Sequence, residues 1–120
     1  MAEPIPAKRY PTYDEIRRAR IEARRRAALE ALSQAEAIAH ARGGRLLVFG
    51  SLAEGSFNEH SDLDVAVLDL PPGPDMELAV EIDTALGLAG FAADVSPLRF
   101  LPPSLNDHIA QHGREPSALG

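Results

Sequence analysis

The chain has 120 residues and a formal net charge of -6, with 45% hydrophobic and 25% charged residues. Those proportions exclude a disordered or fibrous polymer and leave room for one hydrophobic core rather than two. The absence of cysteine excludes a disulfide scaffold, a thiolate zinc site and a cysteine nucleophile. No apolar run is long enough to span a membrane, and the first eight residues hold no apolar signal core, so a cytoplasmic location is expected. Charge is divided along the chain. Residues 1–45 carry ten Lys or Arg and six Asp or Glu; residues 46–120 carry two Arg and twelve acids. The acidic balance argues against bulk binding of nucleic acid. It suits an acidic part that gathers a divalent cation and a basic helix that attracts phosphate or an acidic partner, or else presents a solvated face.

Residues 1–11 contain Pro4, Pro6 and Pro11 and read as an extended arm. Thr12 followed by Glu15 fits a capping box, in which each side chain satisfies the other's backbone amide. A helix to about Ala41 is predicted next. It has no Pro or Gly, and Ile21, Ala28, Leu32, Ala35 and Ala39 form one apolar stripe. Gly43 and Gly44 stop it, and Arg24 to Arg26 are expected to face solvent.

Arg45 to Phe49 reads as a buried strand, and Gly50 to Ser61 as a loop of small polar residues with room for a helical turn. Asp62 to Leu70 is a second strand, ended by the prolines from Pro71. Asp75 to Leu88 is a helix with Met76, Leu78, Ala79, Ile82 and Leu86 inward, and Phe91 to Leu98 a third strand. Ser104 is positioned to cap a last helix from Leu105 to Gln111. The main domain then covers 12–112, with a flexible tail at 113–120. This order predicts an α/β (α+β) fold, a small mixed sheet with helices mainly on one face.

Chemistry concentrates between Gly50 and Asp94. Asp62 and Asp64 stand two apart at a strand's start and so share a face, about 6.5 Å apart. Two carboxylates at about 5–6 Å repel by ~3 kcal/mol at an effective dielectric near 20. Solvation, a raised pKa or a cation relieves that repulsion, and a hard divalent ion with oxygen ligands does so directly. Asp94 lies in an otherwise apolar strand. If that strand neighbours the second, the three carboxylates converge into a Mg²⁺ site that can hold a nucleotide's phosphates. Gly50 and Ser51 directly follow the first strand, where a glycine admits close backbone approach to phosphate and the serine adds a donor. The Lys-Ser/Thr of a P-loop is absent. His108 and His112 share a helix face without a third ligand at sensible spacing beyond Asp107, so a solvated helix end is the simpler reading.

The set Gly50, Ser51, Ala53, Gly55, Ser61, Asp62, Asp64 and Asp94 resembles the signature of the DNA polymerase beta-like nucleotidyltransferase superfamily, in particular its minimal nucleotidyltransferases. The resemblance covers roughly residues 30–112. It implies the nucleotidyltransferase fold and a Mg²⁺-dependent transfer of a nucleoside monophosphate from an NTP, ATP by preference, to an acceptor hydroxyl, with release of pyrophosphate. It implies that Asp62, Asp64 and Asp94 are catalytic metal ligands and that Gly50, Ser51 and Ser61 contact the nucleotide. It also implies an antitoxin role beside a helical HEPN-type toxin, which would supply what a short catalytic core lacks. One departure stands out. Relatives often place a basic residue between the Ser and the Gly, whereas this chain has Leu52 and Glu54. Glu54 favours an alternative, a binding module that neutralises a helical partner by docking.

Overall fold

Thr12 opens the first helix as its neighbours dictate. Its hydroxyl accepts from the Glu15 amide at 3.2 Å, and the Glu15 carboxylate accepts from the Thr12 amide at 3.3 Å. The computed structural model describes residues 10–120. The predicted arm therefore lies outside the described residues, apart from its last two.

The elements run α1 (Tyr13–Ala41), β1 (Arg45–Phe49), a one-turn α2 (Ser51–Glu54), β2 (Leu63–Leu68), α3 (Pro74–Leu88), β3 (Ala93–Pro97) and α4 (Pro103–His112). Short 3-10 turns follow β3 at Leu98–Phe100 and α4 at Pro116–Ala118. The strands form one mixed sheet in the order β1-β2-β3, with β1 antiparallel and β3 parallel to β2. This is the predicted fold class.

Alternation along the strands sorts the sheet into two faces. Leu46 and Val48 of β1 lie with Leu63, Val65 and Val67 of β2 on the inner face, all at most 2% exposed. Ala28, Leu32, Ala35 and Ala39 of α1 and Leu78, Ala79, Ile82 and Leu86 of α3 complete the same core. Burial of each large aliphatic contributes about 1.5–3 kcal/mol, so this face fixes the register of all three strands. The opposite face carries the row Phe49, Asp64 and Asp94, which are cross-strand partners.

Several local expectations change. Met76 is 45% exposed. It stands two residues from Leu78, about 200° around a helix, and Asp75 takes the inward position instead. Ser104 makes no side-chain cap bond; Pro103 occupies the first helical turn, and the Asn106 amide donates to the Pro102 carbonyl at 2.9 Å. β2 ends at Leu68 because Asp69 takes a positive φ of 66°.

The segment expected to be a flexible tail packs against the domain. Arg114 and Val48 exchange backbone hydrogen bonds of 2.7 and 2.9 Å, which pairs the outer edge of β1. Pro116 is buried and Leu119 packs on the core. The Arg45 guanidinium donates to Glu115 at 2.7 Å. Apolar Pro116 and Leu119 give the segment a core contact that its polar composition hides.

Candidate functional site

The sheet brings the three aspartates together. Asp94 is the cross-strand partner of Asp64, so both side chains project from the outer face of neighbouring strands, about 4.8 Å apart along the sheet. Asp62 precedes β2 by one residue and returns to that face. Asp64 is partly buried, whereas Asp62 and Asp94 are exposed. Burial chiefly, then the charges of Asp94 and Asp62, hold the Asp64 carboxyl above the usual carboxylate range. Among the described residues, no arginine or histidine pairs with any of the three; the Ser96 hydroxyl donates to Asp94 at 3.5 Å. Although its immediate strand neighbours are apolar, Asp94 is not buried. β3 is an edge strand and leaves the carboxylate in solvent.

Gly50 faces this row. Its φ of 74° and ψ of -152° lie in a region closed to residues with a Cβ, and a Cβ there would run into the Asp64 carboxylate. The glycine–serine bend therefore lies against the central aspartate. The Glu54 amide donates to the Gly50 carbonyl at 3.0 Å and closes the turn of α2. In such a turn the first amides, from Ser51 onward, have no acceptor within the helix.

The loop ahead of Asp62 is built by local hydrogen bonds. The Ser61 hydroxyl oxygen accepts from the Asn58 amide at 3.0 Å, and the Asn58 side chain accepts from the His60 amide at 2.8 Å. Ser61 thus shapes the turn that delivers Asp62, and its own hydroxyl proton is still free to be donated.

Arg24 also belongs to this construction, which its position in an arginine run concealed. It is half-buried rather than solvent-facing. Its guanidinium donates to the Ser61 carbonyl at 3.1 Å and lies 5.7 Å from the Phe57 ring centroid and 5.0 Å from that of Phe91. It ties α1 to the loop before Asp62 and to the residue leading into β3. The helical period could have found it, because Arg24 is one turn from Ala28 on the buried stripe. Glu54 turns toward α4, where its carboxylate contacts His108 at 3.2 Å. The His108 and His112 rings meet at a tilt of 43°, with centroids 4.8 Å apart.

The donor set of three carboxylates with a glycine cradle suits a hard divalent cation. As they stand, no three His, Asp or Glu side chains among the described residues are drawn together tightly enough to hold a metal ion.

The sequence matches the nucleotidyltransferase domain family over residues 25–115. The chain belongs to this family. It is similar, at 29% identity and a TM-score of 0.46, to a structure assigned as a minimal nucleotidyltransferase, over 80% of this chain and 92% of that one. It is also similar, at 27% identity and a TM-score of 0.44, to a chain of a toxin–antitoxin crystal structure with AMP-PNP, over 60% of this chain. The match spans 58% of that chain, less than two thirds of its length. No curated protein matches. Among the described residues no helix is long and apolar enough to cross a membrane.

Proposed function

We propose that this nucleotidyltransferase domain transfers a nucleoside monophosphate, AMP by preference, from an NTP to an acceptor hydroxyl. The observation that carries the reading is the register of Asp64 against Asp94, with Gly50 pressed against the Asp64 carboxylate. Asp62, Asp64 and Asp94 are the residues that would hold Mg²⁺. When bound, the ion supplies charge neutralisation at the phosphates and so relieves the crowding of the carboxylates.

The chain's own groups do the rest by position. Gly50 lets the backbone approach the phosphates, and Ser51 offers its hydroxyl and amide to the β- and γ-oxygens. Ser61 fixes the turn before Asp62 and keeps a proton to donate to the nucleotide. Asp94, solvent-facing on the edge strand, is reachable by an incoming acceptor and accepts its proton. The Glu54 carboxylate contacts His108 of α4. We further propose a cytoplasmic location and, on the strength of the motif resemblance, a helical HEPN-type toxin as partner.

Calorimetry with ATP and Mg²⁺ tests this, on wild type and on Asp62→Ala/Asp64→Ala. Wild type is expected to bind and the double variant not to. Absence of wild-type binding at millimolar nucleotide, with and without a co-expressed partner, would return the chain to the docking alternative.

A further inference from the structure

The two edges of the sheet differ. The outer edge of β1 is paired by Arg114. Among the described residues the outer edge of β3 has no paired strand. The Leu63 amide donates to the Ala92 carbonyl at 3.0 Å, so in this parallel ladder Ala92, Asp94 and Ser96 turn their backbone groups toward β2. The N–H and C=O of Ala93 and Val95 then point away from it, and among the described residues no backbone group meets them. Unpaired edge groups of this kind are a template for an added strand.

We propose that the acceptor is an extended polypeptide segment that adds antiparallel to the β3 edge and presents a serine or threonine opposite Asp94. This rests on the nucleotidyl-transfer reading above. The register selects the residue. Ala93 and Val95 exchange hydrogen bonds with the flanking residues of the added strand. Asp94 then faces the intervening residue in a non-hydrogen-bonded pair, side chains on one face and Cβ atoms about 4.5–5.5 Å apart. That spacing suits a short hydroxyl; a tyrosine would carry its oxygen past the carboxylate. The flanking residues project to the face where Ala93 and Val95 are only partly buried against the core, which favours apolar neighbours. The charge of the surface selects further. Asp62, Asp64 and Asp94 share one face, and among the described residues no basic side chain pairs with any of them. Such an edge repels acidic peptides and nucleic acid and favours a segment with basic flanks. In the transfer, the acceptor oxygen forms a bond to the α-phosphorus as the bond from that phosphorus to the bridging oxygen of the β-phosphate breaks. Pyrophosphate leaves, and the hydroxyl proton passes to Asp94.

The probe is the capped peptide Arg-Thr-Val-Ser-Val-Thr-Arg at millimolar concentration. Amide hydrogen exchange of the full chain reads the docking without nucleotide, so its outcome is separate from that of nucleotide binding. The amides of Ala93 and Val95 are expected to exchange about tenfold more slowly with the peptide. Methylation of both valine nitrogens is expected to abolish the protection, and methylation of the serine nitrogen to preserve it. With ATP and Mg²⁺ the serine is expected to gain the mass of a nucleotidyl group. Unchanged exchange at Ala93 and Val95, or equal protection by the two methylated peptides, would overturn strand addition. Modification of a tyrosine peptide in preference to the serine peptide would overturn the short-hydroxyl assignment.

Discussion

Asp75 and Asp64 are two withdrawn carboxylates that the chain treats in opposite ways. Asp75, 3% exposed in the first turn of α3, takes a paired grip from Arg99 at 2.6 and 3.2 Å. The Met76 and Gly73 amides also donate to it, at 2.7 and 3.1 Å. Hydrogen bonding to Arg99, ahead of an opposing burial effect, holds its carboxyl below the usual range. Asp64 has none of these partners among the described residues, and burial with two neighbouring carboxylates pushes it up. A satisfied acid ties elements together. Asp64, held against a glycine with two acids beside it, keeps its oxygens out of such pairing among the described residues, as the proposed metal role requires.

The contrast can be broken at either residue. The largest expected effect is on chemistry. Asp64→Asn should lower nucleotidyl transfer on the order of a hundredfold or more with the fold intact, because the lost oxygen charge acts on the phosphates. Asp75→Asn should leave transfer within a few fold when assayed below its melting point. Comparable losses from both, in steady-state assays beside circular dichroism, would erase the distinction.

Gly50→Ala comes next. Forcing a Cβ into this backbone region and against the Asp64 carboxylate should cost about 1–3 kcal/mol by denaturant unfolding, and lower nucleotide affinity as well. Gly55→Ala has open space around the added carbon and should cost less.

Arg99→Gln should lower the melting midpoint by roughly 4–8 °C, since it leaves Asp75 buried without its cation. The smallest effect distinguishes the two acids by sign. Asp64→Asn should raise the midpoint by roughly 1–3 °C at neutral pH, because it removes a partly buried charge and, secondly, its repulsion by Asp94 and Asp62. The pH dependence follows the same signs. Asp64 binds its proton more tightly folded than unfolded, so its unfavourable contribution grows as pH rises through its raised pKa. Asp75 contributes stability above the ordinary carboxylate range and loses it as pH falls through its lowered pKa. Melting curves of the two Asn variants against wild type, taken from acid to neutral pH, should diverge in opposite directions.

Much of the fold was legible because the hydrophobic period is strong where the core is. Ala28, Leu32, Ala35 and Ala39 mark the inner stripe of α1, and Val65 and Val67 the inner face of β2. Asp62 and Asp64 shared a face by spacing alone, and the pairing of β3 beside β2 supplied Asp94 as the parallel sheet required. What stayed hidden depends on contacts distant in sequence. Arg24 looks like its neighbours until Phe57 and Phe91 fold around it. Asp75 looks like a helix-start acid until Arg99 arrives from beyond β3. The docking of residues 113–120 needs Val48, Glu36 and Arg25 as partners, none of them nearby in the chain. The solvent exposure of Asp94 follows from strand order, which local composition does not encode.

We propose that the Asp62, Asp64 and Asp94 cluster, and not the paired acid on α3, receives the divalent ion that accompanies a nucleotide. Substoichiometric Mn²⁺ added with ATP to isotope-labelled protein reads this directly, through distance-dependent broadening of amide resonances. Selective broadening is expected at residues 50–51, 62–64 and 94, with Asp75 and Arg99 spared. Broadening centred on Asp75, or on Glu54 and His108, with the aspartate row untouched, would contradict it.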